Sequence, residues 1–281
     1  MPRVRANGVE LEYATREPAA VNAAAPESAP WIVLIRGLGT QMIEWSEALL
    51  EGLAEAGFRV LIFDNRDVGL SSKLEADYRL EDMAADVVGL FDALGIDRAH
   101  VFGISLGGMV AQLVAHGYPE RVRCLFSVMS SSGNPDLPQA APEIRARLTQ
   151  TAADRAAIIA LNAENRAVFG SPGYPEDLSE RVAAATAAYD RCYCPEGVAR
   201  QMRAVLADGS RIERLAAIRV PTLVIHGADD PLIPPAAGED CARAIPEAQL
   251  ALVPGMGHNI PDALAPRIVE LIRDFAGSSG R

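Results

Sequence analysis

The chain of 281 residues has a single lysine, Lys73, only four cysteines and four histidines, and no long apolar run. A membrane-spanning helix needs about 20 consecutive apolar residues. The longest runs here, such as Trp31–Ile35 and Val60–Phe63, fall far short, so no membrane partner is expected. The first residues, MPRVRANGVELEY, contain no apolar segment of the signal-peptide kind, and a cytoplasmic protein is expected. Cys124, Cys192, Cys194 and Cys241 are too few for a disulfide scaffold, and no second Cys or His pair accompanies Cys192 and Cys194 at ligand spacing. They read as reduced thiols, and neither a metal nor an organic cofactor is expected. Positive charge is nowhere clustered, and 26 Lys+Arg against 37 Asp+Glu leave a net charge of −11. Such a chain repels phosphate, which argues against a nucleic-acid partner. Arginine in place of lysine, with abundant alanine, reflects genome composition rather than function.

What is present is a large supply of core. At 49% apolar and 22% charged residues the composition excludes a disordered chain and suits one large domain. The segment from Arg3 to Leu11 reads as a hairpin turning at Asn7-Gly8. The Ala-, Pro- and Glu-rich stretch 18–30 reads as a surface loop. Four buried strands are expected at Trp31–Arg36, Phe58–Asp64, Ala99–Ile104 and Val122–Met129, with helices at Glu44–Ala56, Leu80–Leu94 and Leu106–Tyr118 between them. Gly57, Gly95 and Gly117 are placed to end helices in the left-handed conformation. From 134 to 214 the alternation stops, and the segment is helical in composition with several prolines. Alternation resumes with a strand at Val220–His226, a helix at Ala236–Ile245, a strand at Gln249–Val253 and a helix at Pro261–Ala276, followed by a frayed tail from Gly277. The expectation is an α/β core (1–133 and 215–281) with a mostly parallel central sheet flanked by helices, interrupted by a helical cap over 134–214.

The chemistry concentrates at three strand ends. Gly103-Ile104-Ser105-Leu106-Gly107 joins an apolar strand directly to a helix, which is the context a G-x-S-x-G nucleophile elbow requires. A serine hydroxyl is a weak nucleophile and needs a base with an orienting carboxylate. The loop His226-Gly227-Ala228-Asp229-Asp230 follows one later strand, and Gly255-Met256-Gly257-His258 follows another. The order Ser105, Asp230, His258 is the one expected after an elbow, although Asp229 is adjacent and Asp64 and Asp67 end a different strand. His100, His116 and His226 read as structural. Gly37-Leu38-Gly39-Thr40, after the first buried strand, can present a backbone donor toward the elbow. Leu38 N–H and Leu106 N–H are thus the expected oxyanion hole. Met42 and Met129, just past strand ends, are candidates for the substrate pocket, with Trp45 as easily a core residue.

With these residues the sequence resembles the α/β-hydrolase superfamily over nearly its whole length. That resemblance implies an α/β-hydrolase fold, and its G-x-x-D-x-x-x-P loop, here Gly227 to Pro234, puts the acid at Asp230 and leaves Asp229 as a loop cap. Asp64-Asn65-Arg66-Asp67-Val68-Gly69-Leu70-Ser71 and Pro254–His258 look like the branch containing aclacinomycin methylesterase, a branch of cofactor-free carboxylic-ester hydrolases. Two positions depart from the pattern. Arg36 stands where the family has a histidine, and Asp67 replaces a glycine and is placed to pair with Arg36 or Arg66 or to touch substrate. The resemblance implies a serine carboxylesterase acting on a small or medium, fairly apolar ester. The same three groups also support perhydrolysis of the haloperoxidase type or hydrolysis of a C–C bond, and a relative that binds a ligand with negligible turnover is the reading outside catalysis. No motif sets the oligomeric state.

Overall fold

The computed structural model describes residues 1–18 and 29–279, so most of the expected loop at 18–30 lies outside the described residues, as do 280–281. The hairpin forms as β1 (Arg3–Ala6) and β2 (Val9–Arg16), with Asn7 and Gly8 both at positive φ in the turn. β3 (Trp31–Ile35) stops before Arg36. The helix expected from Glu44 is instead a 3-10 turn at Met42–Glu44 followed by α1 (Glu47–Glu55). The Ser46 hydroxyl accepts the Leu49 N–H and so sets the start of α1. β4 (Arg59–Phe63), α2 (Leu80–Leu94), β5 (Ala99–Ile104), α3 (Leu106–Gly117) and β6 (Val122–Val128) follow as expected. Gly57 and Gly95 take positive φ, but Gly117 does not. There the last turn closes through Tyr118 N–H to Val114 O, and Pro119 prevents continuation.

Next come α4 (Pro142–Ala146), α5 (Arg155–Val168), α6 (Leu178–Arg191), α7 (Pro195–Asp208) and α8 (Ile212–Ala216), with no strand among the described residues. The chain ends with β7 (Thr222–Gly227), α9 (Ala236–Ala244), β8 (Gln249–Val253) and α10 (Ala265–Ser279). α10 starts later than expected and continues through Gly277 to Ser279 rather than fraying there.

Among the described residues eight strands form one sheet in the order β1-β2-β4-β3-β5-β6-β7-β8. β1 and β2 are antiparallel, and everything from β4 to β8 is parallel. Buried strands send alternate side chains to opposite faces. Val33 and Ile35 join the core under α2 and α3, while Ile32 and Leu34 join the core under α1 and α10. The order reverses at β3, which lies between β4 and β5, and ligands of open α/β sheets bind at the carboxyl ends of strands at such a switch point. Ile35 is level with Gly103, which brings the ends of β3 and β5 side by side. Among the described residues no helix is long and apolar enough to cross a membrane.

His100 on β5 packs edge-on against Phe58 and beside Phe126, with ring centroids 5.4 and 6.2 Å away. Burial above all, with Arg123 and Arg98, lowers its pKa from 6.5 to about 4. The unfolded chain therefore binds more protons below pH 6.5, and the stability His100 confers, complete above that pH, is lost as pH falls toward 4. At 1.36 kcal/mol per unit the loss is roughly 3 kcal/mol. Denaturant titrations between pH 7 and 4 should show this component in the wild type and not in His100→Phe. Parallel curves for the two proteins would reject it.

Candidate active site

Ser105 sits in the turn between β5 and α3 with φ +55° and ψ −121°, a conformation that costs about 1–3 kcal/mol for a residue with a side chain. The flanking glycines make the turn possible. A Cβ on Gly103 would lie 2.0 Å from Gly107 O, and one on Gly107 would lie 2.1 Å from Ile35 O. Across the turn, Gly37 is close enough that an added Cβ would be 3.2 Å from Ser105 Cβ.

His258 follows β8, and its Nδ1–H donates to Asp230 Oδ2 at 2.7 Å. With that proton placed, Nε2 of the neutral ring is free to accept one. The Asp230 carboxylate is buried, and its other oxygen accepts the Leu232 and Ile233 N–H groups, both at 2.9 Å. His226 is fully buried, with Nε2 2.9 Å from Ile233 O and 3.7 Å from Asp230 Oδ2. Burial lowers its pKa and favours the neutral ring, which donates to Ile233 O and braces the Asp230 loop. Asp229 faces elsewhere and accepts the Gly255 N–H at 2.8 Å.

Ser105, His258, Leu38 and Met129 share the lining of a cavity of about 490 Å³, within the range of small-molecule sites. Leu106 heads α3, and among the described residues neither the Leu38 nor the Leu106 N–H has a protein acceptor. Met42 does not reach this space. It is buried against a separate cavity near Trp45 and Ile62, and Asp64 Oδ1 holds its backbone N–H at 2.8 Å. Trp45 belongs to the core beside Phe102. Cys192 and Cys194 also line the large cavity as free thiols. Among the described residues no three His, Cys, Asp or Glu side chains group to hold a metal ion.

Residues 30–262 match the α/β hydrolase fold family. The chain belongs to that family. A rhodomycin D methylesterase of Streptomyces peucetius is 28% identical over 263 residues, covering 85% of this hydrolase and 88% of the relative. That likeness agrees with the methylesterase branch read from the motifs. A protein of Stutzerimonas stutzeri named for carbamate hydrolysis is 33% identical over 237 residues, covering 82% and 85%. Among solved structures, the enol-lactonase from Burkholderia xenovorans LB400 superposes with a TM-score of 0.76 at 28% identity, over 98% of this chain and 100% of that one.

This hydrolase differs from the family pattern in how the Gly37–Thr40 loop is supported. Arg36 stacks on Trp45 at 4.6 Å and donates to Thr40 Oγ1 and Glu44 O, both at 3.2 Å. Thr40 Oγ1 in turn donates to Gly37 O at 3.0 Å, so the guanidinium closes the loop from behind. Its pKa falls to about 10, chiefly through burial. Asp67 pairs with neither Arg36 nor Arg66. It takes φ +70° and receives a two-pronged contact from Arg200 of α7 at 2.8 and 3.0 Å, while Arg66 is committed to Asp86. Sequence reasoning missed Arg200, its neighbour Gln201, and Phe169, whose carbonyl accepts the His258 N–H at 2.7 Å. Nothing local marks them, since each is one ordinary residue of an amphipathic helix or its end.

Asp230→Asn should lower turnover of an activated ester by about 10⁴, because the amide favours the wrong imidazole tautomer. Asp229→Asn should leave it within a few-fold. Equal losses, or the reverse order, would move the acid to Asp229.

Proposed function

We propose that this hydrolase cleaves carboxylic esters through an acyl-enzyme on Ser105. The observation that carries the reading is the 2.7 Å contact between His258 Nδ1 and Asp230, at a cavity whose wall also includes Ser105. His258 Nε2 takes the Ser105 proton as Oγ attacks the ester carbonyl, and Asp230 holds the ring and stabilises the imidazolium. The oxyanion develops between the Leu38 and Leu106 N–H groups, where α3 also directs the positive end of its dipole. The imidazolium protonates the departing alcohol, and water, activated by the same base, then releases the acid.

In this reading the segment between Gly133 and Gly209 is the lid. Its two ends meet so closely that a Cβ on Gly133 would lie 2.1 Å from Gly209 O. α5, α6 and α7 supply much of the cavity wall. α8 straddles the boundary expected at 214, and its packing on α3 and α9 groups it with the core in this reading. Leu148, Phe169, Val198, Met202 and Leu232 give the cavity an apolar character suited to a small or medium ester.

Release of p-nitrophenol from acetate, butyrate and octanoate esters should be measurable for the wild type and should fall to background in Ser105→Ala. A fluorophosphonate should label Ser105. A wild type that neither turns over any of the three esters nor takes the label would overturn the proposal.

A further inference from the structure

Arg200 and Gln201 are adjacent on α7, yet they engage the core in different ways. Arg200 grips the Asp67 carboxylate, side chain to side chain. Gln201 is fully buried and engages two backbones at once. Its Oε1 accepts the Gly39 N–H at 2.9 Å, and its Nε2 donates to Arg66 O at 3.0 Å. The Gly39 N–H belongs to the peptide that joins Leu38 to Gly39, so fixing it limits rotation of the backbone at Leu38. Val198, one turn earlier on α7, lies against the same loop, and a Cβ on Gly39 would come within 2.8 Å of its Cγ2. On its other side, among the described residues, Thr40 bonds Gly37 O and Arg36 Nε, and Asn65 Nδ2 donates to Arg36 O at 3.1 Å. An amide with both ends bonded between two core loops has little freedom, and removing it leaves the half-buried Gly39 N–H without its acceptor.

We propose that Gln201 is a positioning residue for the oxyanion hole: through its amide, α7 of the lid holds Leu38 where its N–H can receive the developing charge. The inference rests on the ester-hydrolase reading and deepens it. A donor displaced by about 1 Å loses on the order of 10²-fold in rate. The ground-state ester makes little use of that donor, so the loss falls on kcat rather than KM.

The test compares wild type with Gln201→Met, which fills similar volume without hydrogen bonds. Gln201→Asn, one methylene shorter and unable to span both loops, is the second variant should the first fail to fold. Arg200→Met is the control for lid seating alone. With p-nitrophenyl butyrate, the Gln201 variants should lose roughly 10- to 100-fold in kcat with KM within about threefold. Their inhibition constants for a trifluoromethyl ketone, which forms an oxyanion adduct, should rise by the same factor, while inhibition by butyrate stays unchanged. Arg200→Met should instead move KM more than kcat. A Gln201 variant that shifts KM but not kcat, or that matches Arg200→Met in every readout, would overturn the proposal and leave Gln201 as a lid fastener. The rate of fluorophosphonate labelling separates the two readings. A wild type that labels without hydrolysing esters puts the substrate class in error, and slower labelling in the Gln201 variants still supports the positioning role. Equal labelling rates overturn that role, and no labelling at all overturns both.

Discussion

The arrangement depends on a close approach of two backbones at the β5–α3 turn. Gly107 lies so near Ile35 O and Arg36 O that no side chain fits there, and this contact holds the start of α3 against the end of β3. Ser105 is then left no conformation but its strained one, and the surroundings hold it from both sides. Its N–H donates to Val128 O at 2.9 Å. Its carbonyl accepts from Gly108 and Met109 N–H and from the Ser130 hydroxyl at 2.8 Å. Several bonds that each contribute about 1 kcal/mol net are enough to offset one residue's strain. Leu38 and Leu106 each follow closely on one of the two strands that touch here, β3 and β5.

The helices between β6 and β7 are held differently from the core. Their own apolar centre is small, with Ile159, Ala163 and Ala185 buried beside Tyr189. What fixes them is directional. Arg191 reaches Gln41 and Asp64, Gln41 donates to Ala188 O and Cys192 O, Arg166 pairs with Glu176, and Ser171 accepts the Gly257 N–H. Apolar contact tolerates sliding, whereas these bonds do not, since a shift of one ångström leaves buried polar groups unpaired. The anchor points lie on loops near the cavity: Gly39 and Gln41, the loop after β4, and the Gly255–His258 loop. The positions of these helices and of the loops around the cavity are therefore linked through shared hydrogen bonds.

This division explains what could be read from the sequence. The elbow, the acid loop and the histidine loop are each set by local rules, with a glycine where no Cβ fits and a strand before a turn, so Ser105, Asp230 and His258 were legible as candidates, and so was the strand–helix alternation. Met42 failed because position past a strand end does not say which side of the chain it faces; Asp64 fastens its backbone away from the cavity. The ion-pair partner of Asp67 was not legible because it is 133 residues away on α7, while two nearer arginines were the visible choices. Gln201 was invisible for the same reason. The register of a helix against a loop follows from tertiary packing, which no pattern within one segment encodes.

The use of arginine in place of lysine has structural consequences. The arginines at the seams use the flat, two-pronged geometry of the guanidinium: Arg66 meets both oxygens of Asp86 at 2.6 Å, and Arg200 meets both oxygens of Asp67. Arg191 spreads over Gln41, Asp64 and, at 3.4 Å, Glu12. An ammonium group is a compact charge that cannot present parallel donors to a carboxylate. The one lysine occupies a site of the other kind. Lys73 Nζ donates to the carbonyls of Val68, Gly69 and Ser71, at 3.3, 2.6 and 2.6 Å, where three single acceptors converge on a point. A fork would satisfy that site poorly, just as lysine would satisfy the seams poorly. Whatever made arginine abundant in this chain, the choice of cation at these positions follows the shape of the acceptor.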